Sequence, residues 1–456
     1  MFNFDLSGKN KYYTLYKNIR TEILSGRIKA GERLPSKRVI AEELGVSVVT
    51  VQLAYEQLLA EGYITAKERS GYFVEKISPA VPQTKAPAAK NFNVQTAATP
   101  QKFKIDFVKG STPAALFPFA TWAKLMRTVL ADCGEHLLER VPCSGDGELQ
   151  RAVAAYLYRA RGLSVDPERV IIGAGAEYLY GVIVQLLGRE SIFAVENPGY
   201  GKISSTYALY GAKVMPVSVL GAGICLDEIE KSNVSAVHVS PAHQFPTGAV
   251  MPAAARSRLI KWAESTGGYI IEDDYDSEFR LVGKPLQCTC AVAPERVIYI
   301  NTFSKSLAPS MRLGYMVLPP ALYEKYLQIF SKSANTVPLF EQKALAQMLD
   351  GGYFERYVAR LKNYYKGIRK EILQKLESLA PRCEVLDTGS GLHMIAKFPH
   401  AQSDEQIKER AAQAGINVKC LSDYLIAPLK GVEKCAVINY SGVTKEQLSL
   451  LQPQDF

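Results

Sequence analysis

Short apolar runs alternate with longer amphipathic stretches over most of the chain. Five runs rich in valine and isoleucine each lead into a polar or glycine-containing loop: 169–176, 191–200, 234–243, 267–276 and 296–305. Between them lie stretches of helical periodicity such as "AAARSRLIKWAEST". This alternation predicts a mostly parallel α/β sheet, in which ligands collect at the carboxyl ends of the strands. "EVLDTGSGLHMIAKF" and "SDEQIKERAAQAG" predict a smaller C-terminal α+β subdomain.

The pattern is different near the N-terminus, where two short helices and a hairpin are predicted. Ser36 and Ser47 can each cap a helix, and Gly45 and Gly62 can end them. The second helix has a periodic apolar face: Val51, Ala54, Tyr55, Leu58 and Leu59. "YITA" and "GYFV" then flank "KERS" as a small wing. Two helices joined by a tight turn can present the second one to a DNA major groove, although a small protein–protein module would show the same pattern.

A segment without clear apolar periodicity separates these two patterns. Residues 77–105 are rich in Ala, Pro, Thr and Gln, which is typical of a semi-extended linker. The sequence therefore predicts a helix-turn-helix domain at 1–76, a linker at 77–105 and a large domain at 106–456.

Composition excludes several classes of protein. Of the 456 residues, 47% are hydrophobic and 22% charged, as in soluble globular proteins. No stretch approaches the roughly 20 apolar residues of a membrane helix, and the N-terminus lacks the apolar core of a signal peptide. The eight cysteines form no C-x-x-C pair, which argues against a disulfide framework or a zinc site and favours reduced thiols in a cytoplasm.

The positive charge is concentrated at one end of the chain. Residues 1–76 contain 12 Lys/Arg and 9 Asp/Glu, and residues 77–105 contain four lysines and no acid, so +7 of the net +9 lies before residue 106. A basic N-terminal region suggests binding to a polyanion such as DNA. A solubilising tail would have the same charge.

One lysine, Lys305, stands among small and hydroxyl residues directly after a predicted strand. A buried lysine has a lowered pKa, and its neutral amine can form a Schiff base with an aldehyde. Pyridoxal phosphate is such an aldehyde, and it also needs an acid at its ring nitrogen and donors for its phosphate and phenolic oxygen. Strand ends supply candidates for each: Asp273, Tyr275, Thr302, Arg312 and the N–H groups of 173–177. Each motif alone is weak, and the acidic run at 272–276 could be a solvated loop, but the five together indicate a pyridoxal phosphate site.

These motifs resemble two known families joined in one chain. Residues 11–75 resemble the GntR-type winged helix through "LPSKR", "AEELGVS" and "AYEQL", and residues 106–456 resemble fold-type I aminotransferases. "VENPGY", "SPAHQFPTG", "EDDYDSEF" and "TFSKSLAPSMRLGYMVLP" resemble the MocR/GabR group specifically. The resemblance implies a pyridoxal-phosphate-dependent transcriptional regulator: an N-terminal winged helix-turn-helix, then an aminotransferase-like domain with a mostly parallel sheet. It also implies a homodimer that binds double-stranded promoter DNA.

The resemblance also implies roles for individual residues of the large domain. Lys305 would carry pyridoxal phosphate as a Schiff base, Asp273 would pair with the ring nitrogen, and Tyr275 would approach the phenolic oxygen. The residues expected around the phosphate are Gly175, Ala176, Thr302, Ser304 and Arg312.

Further residues are expected near the ring or the ligand. They are Tyr200, Lys202, His243 and Gln244. His243 and Gln244 occupy the region where many aminotransferases have an asparagine, and Lys202 stands where a GabR-like protein has an arginine. His393 is interpreted as a structural histidine with satisfied hydrogen bonds.

The residues expected at DNA lie in the turn, the second helix and the wing. They are Ser36, Arg38, Ser47, Val48, Thr50, Gln52, Lys67 and Arg69. Val48 replaces an arginine that is usual in the family, and Gln52 stands where a basic residue is common. Fewer cations should weaken phosphate binding and flatten its salt dependence.

Two functions remain open, a regulator and an aminotransferase that carries a DNA-binding domain. Aminotransferases of this fold usually bind the substrate carboxylate with an arginine in a C-terminal strand, where this chain has Val437 or a neighbour in "KCAVINYSG". Efficient transamination is therefore not expected, and pyridoxal phosphate itself becomes the favoured effector. The alternatives are an amine that uses Lys202 or lacks a carboxylate, or a different alignment in which Lys430 or Lys434 replaces the arginine.

Overall fold

The structure, a computed structural model, consists of two units, Met1–Pro100 and Gln101–Phe456. It describes residues 4, 11–68, 70–77, 103–110, 112–221, 223–283, 286–386 and 389–451. Most of the predicted linker, 78–102, and the predicted DNA-contacting residue Arg69 lie outside these ranges. Within them, no helix is both long and apolar enough to cross a membrane.

The described residues of the N-terminal unit form three helices and a hairpin. They are α1 (Lys11–Leu24), α2 (Lys37–Glu43), α3 (Val48–Ala60), β1 (Ile64–Lys67) and β2 (Gly71–Val74), the two strands being antiparallel. Ser36 and Ser47 cap α2 and α3 as predicted, since their Oγ atoms accept from the backbone N–H groups of Val39 (3.3 Å) and Thr50 (3.1 Å).

The core of this unit is made by the apolar faces of its three helices, closed by β1 and β2. Val51, Ala54, Tyr55 and Leu58 are buried in it. The prediction that Leu59 joins them is wrong, because its side chain is 40% exposed. Eight residues at 100° each place Leu59 about 80° from Val51, at the edge of the face that α1 and α2 cover.

The second unit is built on three sheets. Its strands are β3 (Ile105–Asp106), β4 (Val170–Gly173), β5 (Ile192–Asn197), β6 (Lys213–Leu220), β7 (Gly223–Ile224), β8 (Ala236–Val239), β9 (Tyr269–Asp273), β10 (Val297–Thr302), β11 (Gly314–Val317), β12 (Glu384–Leu386), β13 (His393–Lys397), β14 (Ile416–Asn417), β15 (Lys419–Cys420) and β16 (Cys435–Asn439).

Eight of these strands form the central sheet, in the order β4-β11-β10-β9-β8-β5-β6-β7. Six run parallel, while β11 and β7 are antiparallel to their neighbours. This confirms the predicted mostly parallel sheet, and all five predicted strands belong to it. The unpredicted β11 inserts between β4 and β10 and brings Arg312, two residues ahead of it, to their carboxyl ends.

Helices cover both faces of the central sheet. They and the C-terminal helices are α4 (Phe119–Cys133), α5 (Gly147–Arg161), α6 (Ala176–Leu187), α7 (Gly201–Leu209), α8 (Leu226–Glu230), α9 (Ala253–Thr266), α10 (Pro320–Phe330), α11 (Leu339–Asp350), α12 (Tyr353–Glu377), α13 (Asp404–Gln413) and α14 (Lys445–Ser449). Successive strand residues enter opposite cores: Ile171 packs with α6, α7 and α10, and Ile172 packs with the larger core on the other face. Burial on both faces explains why these strands are continuously apolar.

The C-terminal subdomain is built on an antiparallel sheet in the order β12-β13-β16-β15. Beside it, β3 pairs in parallel with β14, where Ile105 lies opposite Ile416. Ile105 is buried and therefore belongs structurally to the second unit, one residue ahead of the predicted boundary at 106. The segment that enters this unit is thus fixed to the C-terminal part of the chain.

Candidate functional site

The carboxyl ends of β9, β10 and β4 meet at one edge of the central sheet. Asp273 and Thr302 are the last residues of β9 and β10, and Ser304 and Lys305 follow directly. A cavity of about 490 Å³ lies at this edge. It is lined by nine of the residues that the sequence singled out: Ala176, Tyr200, Lys202, Asp273, Tyr275, Thr302, Ser304, Lys305 and Arg312.

Lys305 is half-buried in the wall of this cavity. Burial lowers the pKa of its amine, an effect that the negative charge of Asp276 partly opposes. The Oγ1 of Thr112 donates to the Lys305 carbonyl at 3.1 Å and fixes the backbone there. A lysine with a lowered pKa beside a cavity can supply the neutral amine that condensation with an aldehyde requires.

Asp273 is 5% exposed and uses only one of its carboxylate oxygens. Its Oδ2 accepts from the Tyr180 hydroxyl and lies 3.3 Å from Nε2 of His238, whose Nδ1 is 2.7 Å from the Tyr207 hydroxyl. Its Oδ1 has no hydrogen-bond partner in the described part of the chain. An unpaired buried oxygen is costly unless a ligand completes it, and a protonated pyridine nitrogen is a donor of the right kind.

The guanidinium of Arg312 lies at the start of α6. Gly175 precedes the helix with φ +83°, and a Cβ there would lie 3.1 Å from Cζ and Nη2 of Arg312. Glycine therefore lets the guanidinium approach the helix start, where Nη2 donates to the carbonyl of Ala174 at 3.0 Å. The first N–H groups of a helix and a guanidinium both favour phosphate. Thr302 and Ser304 add hydroxyls to the same cavity.

Tyr275 contacts His243, which in turn pairs with Asp276. Its hydroxyl donates to the His243 carbonyl at 3.0 Å, and Nδ1 of His243 lies 3.0 Å from Asp276. Burial, reinforced by the charge of Asp276, raises the pKa of Tyr275 well above its usual value, so the hydroxyl stays protonated. His243 itself does not line the cavity of Lys305.

The prediction for His393 is wrong in one respect. It is buried, as a structural histidine would be, but its Nε2 has no partner among the described residues and it lines the cavity. Burial, aided by nearby His243 and Lys305, lowers its pKa well below the usual value, so the ring is neutral. His243, Asp276 and His393 also place donor atoms within 4.8 Å of one another, a grouping that no sequence motif indicated.

The remaining ligand candidates differ in their surroundings. Gln244 is buried outside the cavity lining, where its amide donates to the carbonyls of Pro198 (2.9 Å) and Phe245 (2.6 Å). Tyr200 is 46% exposed at the start of α7. Nζ of Lys202 lies 3.1 Å from Glu177, which raises the pKa of the lysine.

Several cavity residues escaped the sequence analysis, among them Gly110, Glu196, Lys419 and Asn439. Burial raises the pKa of Glu196 to about 8, so this carboxyl is largely protonated near neutral pH. Asn439 lies in "KCAVINYSG", two residues after Val437, and its amide is the one feature of the sequence that sets it apart there. Lys419 and Gly110 have no local signal, since only the tertiary fold brings them to the cavity.

The two lysines of the alternative alignment do not line the cavity. Val437 is 1% exposed in β16 and packs in an apolar cluster with Ile395 and Phe245. Lys430 and Lys434 lie outside the lining.

In the N-terminal unit, the residues expected at DNA lie around the starts of α2 and α3 and on the hairpin. Ser36, Arg38, Ser47, Val48, Gln52 and Lys67 are exposed, and Thr50 is half-exposed. Oε1 of Glu56 accepts from the Gln52 amide at 2.8 Å, and Nζ of Lys67 lies 4.8 Å from the centre of the Phe73 ring. These residues leave polar groups exposed at the starts of α2 and α3, and they leave one cation on α2 (Arg38) and one on the hairpin (Lys67).

Comparison with known families matches both units. Residues 11–74 match the profile described as bacterial regulatory proteins, gntR family, and residues 111–451 match aminotransferase class I and II. The chain is 34% identical to the HTH-type transcriptional regulator YdeL of Bacillus subtilis, over 89% of this chain and 88% of the relative. It is 32% identical to the probable rhizopine catabolism regulatory protein MocR of Rhizobium meliloti (94% and 90%). It is 29% identical to the pyridoxine biosynthesis regulator PdxR of Corynebacterium glutamicum (90% and 88%).

Solved structures match the fold of the second unit. Kynurenine aminotransferase of Pyrococcus horikoshii gives a TM-score of 0.69 at 22% identity, over 78% of this chain and 90% of that one. The α-aminoadipate aminotransferase LysN of Thermus thermophilus gives 0.66 at 23% identity, over 76% and 89%. At these identities the likeness establishes the fold-type I aminotransferase architecture and no particular reaction.

Proposed function

The chain belongs to the HTH-type transcriptional regulators that join a GntR domain to an aminotransferase class I and II domain, the family of MocR, and we propose that it controls transcription from the cytoplasm through a pyridoxal 5'-phosphate site. Its N-terminal unit would bind double-stranded promoter DNA. The cavity of the second unit would hold the cofactor and sense a small-molecule effector. An effector shifts DNA binding only if it binds two states of the protein unequally.

One observation carries the cofactor assignment. The unpartnered Oδ1 of Asp273, the amine of Lys305 and the guanidinium of Arg312 belong to one cavity. These groups fit a ring nitrogen, an aldehyde and a phosphate. When bound, pyridoxal phosphate supplies an aldehyde that condenses with amines. The protein would hold the ring nitrogen protonated through Asp273, orient the ring through Tyr275 and neutralise the phosphate at the start of α6.

The cofactor assignment can be tested by trapping. The purified protein should be yellow, and borohydride reduction followed by peptide mass mapping should place the reduced cofactor on Lys305. Lys305→Ala should abolish the adduct, whereas Lys325→Ala, at an exposed position of α10, should leave it intact. A reduced adduct on another lysine, or none in the wild type, contradicts the proposal.

We propose that DNA binding uses the exposed starts of α2 and α3 and the wing. Arg38→Ala should weaken promoter binding, and affinity should fall as salt rises because released counterions drive the association. The matched control is Arg27→Ala, which changes an exposed arginine beyond the end of α1. Equal loss in the two variants would argue against this surface. The family's homodimer, expected at two half-sites or direct repeats, is testable by light scattering of the free protein.

Amino transfer is not the main role that we propose. At the position on β16 where an arginine is expected, this chain has the buried Val437. A lysine elsewhere in the cavity is a poorer bidentate partner for a substrate carboxylate than an arginine. We expect at most residual transaminase activity, measured as 2-oxo acid formation. The effector on this basis is either pyridoxal phosphate itself or an amine.

A further inference from the structure

One part of the cavity wall is formed by residues of the C-terminal sheet. His393 on β13 lies directly opposite Asn439 on β16, and both line the cavity. Side chains that are directly opposite in an antiparallel pair share a face, as do alternate residues of one strand. Ile395 lies two residues after His393, and Val437 lies two residues before Asn439. These two residues are paired with each other and therefore lie on the same face of the sheet.

The register of the next strand adds a cation to this face. Lys419 on β15 lies directly opposite Val437 and lines the cavity. Directly opposite residues have Cβ atoms about 4.5–5.5 Å apart. The backbone of Lys419 is therefore the direct neighbour, on the next strand, of position 437. Aminotransferases of this fold are expected to carry their carboxylate-binding arginine at that position. A lysine side chain is long enough to span the distance between the two strands.

The other cations of the cavity are engaged elsewhere. Lys202 pairs with Glu177 at 3.1 Å, Arg312 lies at the start of α6, and Lys305 is the cofactor anchor of the proposed function. Nζ of Lys419 lies 5.7 Å from the centre of the Tyr424 ring and has no acidic partner among the described residues. The contact with the ring holds the ammonium against the aromatic part of the wall, formed by Tyr424 and Phe245, whose rings are 5.1 Å apart.

The acids of the cavity do not compete for this ammonium. Asp273 accepts from Tyr180, and Asp276 pairs with His243. Glu177 is bound to Lys202, and Glu196 is buried with its oxygens near the Ser240 N–H and the Gln244 amide. An anion that entered the cavity would therefore find Lys419 available.

We propose that Lys419 selects carboxylated amines as effectors: the carboxylate of a small amino acid pairs with its ammonium while the amino group faces Lys305. This inference rests on the proposed function and names the effector class for the same site. It favours a carboxylated amine over pyridoxal phosphate itself, the effector that Val437 favoured, because the pairing of β15 with β16 supplies a cation opposite that position.

The test is a spectroscopic titration of the full-length holo-protein. Alanine and 4-aminobutyrate are compared with ethylamine and propylamine, which lack the carboxylate, while the absorbance of the cofactor is followed. The wild type should respond to at least one carboxylated amine at a lower concentration than to its analogue. Lys419→Met should raise the concentration needed about ten- to a hundredfold, the range for a lost hydrogen bond to a charged group. The concentration needed for the analogue should change little.

Three further variants make the outcome specific. Lys430→Met and Lys434→Met remove lysines outside the cavity lining and should behave as wild type, and Lys419→Arg should keep the preference. The inference is overturned if Lys419→Met leaves the preference unchanged, if one of the control lysines abolishes it, or if the wild type ignores carboxylated amines while added pyridoxal phosphate alters promoter affinity.

Failure of the proposed function would look different. Borohydride trapping on Lys305 precedes the titration, so a protein without a trapped cofactor refutes the cofactor site itself. A protein with the cofactor on Lys305 but an indifferent Lys419 refutes only the assignment of the effector class.

Discussion

Gly110→Ala should reduce attachment of the cofactor to Lys305 while changing the stability of the fold little. Gly110 lines the cavity, and a Cβ added there would lie 2.4 Å from Nζ of Lys305 and 3.1 Å from both Nδ2 of Asn439 and Oγ of Ser441. Its φ is outside the left-handed region, so alanine is not strained by the backbone. The added methyl group therefore acts through the amine of the lysine.

The size of the effect follows from the contact distances. Nζ must retreat by about 1 Å to move from 2.4 Å to an ordinary contact of 3.4 Å. The far end of a lysine side chain can make this movement at a rotamer cost of about 0.5–1.5 kcal/mol. Stability should therefore change by about 1 kcal/mol, whereas an amine displaced from the cofactor position should lower the occupancy of the Schiff base about tenfold.

The assay measures the two quantities on the same preparations. Borohydride trapping gives the occupancy of Lys305, and urea denaturation of the cofactor-free protein gives the free energy of unfolding. Gly367→Ala is the control, because it adds the same methyl group at an exposed position of α12, where the nearest atom is 3.9 Å away and helix propensity adds about 0.5–1 kcal/mol. Full occupancy in Gly110→Ala, or an equal loss in both variants, would refute the steric argument.

Three other substitutions probe separate features. Asp273→Asn should leave the trapped adduct on Lys305 but increase cofactor loss on dialysis about tenfold, since the ring nitrogen loses a charged partner. Burial raises the pKa of Glu196 to about 8 from 4.5, so between these values the folded state holds a proton that the unfolded chain has released. The free energy of unfolding therefore falls as the pH rises from about 4.5 to about 8. Between about pH 5 and 8 in urea denaturation, the wild type should therefore lose at least about 1 kcal/mol relative to Glu196→Gln. Val48→Arg adds a cation at the exposed start of α3; it should tighten promoter binding and steepen the logarithmic salt slope by about 0.9. An unchanged slope would place Val48 away from phosphate.

The parts of the site that follow single strands could be predicted from the sequence. Asp273 and Thr302 end two neighbouring parallel strands, and Lys305 comes three residues later, so the periodicity that locates the strands also locates these side chains. Gly175 between β4 and α6 was recognisable for the same reason. Strand ends that share a direction necessarily share an edge.

The other wall of the cavity could not be predicted in this way. Lys419 lines it because β15 pairs with β16 in one particular register. These strands show little alternation of apolar and polar residues, so the sequence does not fix which residues lie opposite each other. Gly110 is brought in by the pairing of β3 with β14, more than 300 residues later in the chain. Both depend on contacts distant in sequence, so only the folded chain identifies these residues.

The parallel pairing of β3 and β14 gives the second unit a mechanical connection to its linker. The N–H of Lys104 donates to the carbonyl of Gly415 at 2.7 Å, and the N–H of Asn439 donates to the carbonyl of Phe107 at 3.3 Å. Gly110, on the cavity wall, comes only three residues after Phe107. The backbone between the cavity wall and the linker is therefore held by hydrogen bonds to the C-terminal part of the chain. Every covalent route from this wall to the N-terminal unit begins with these few hydrogen-bonded residues and continues through residues 78–102, and the strength of the anchor between β3 and β14 is a quantity that force spectroscopy could measure.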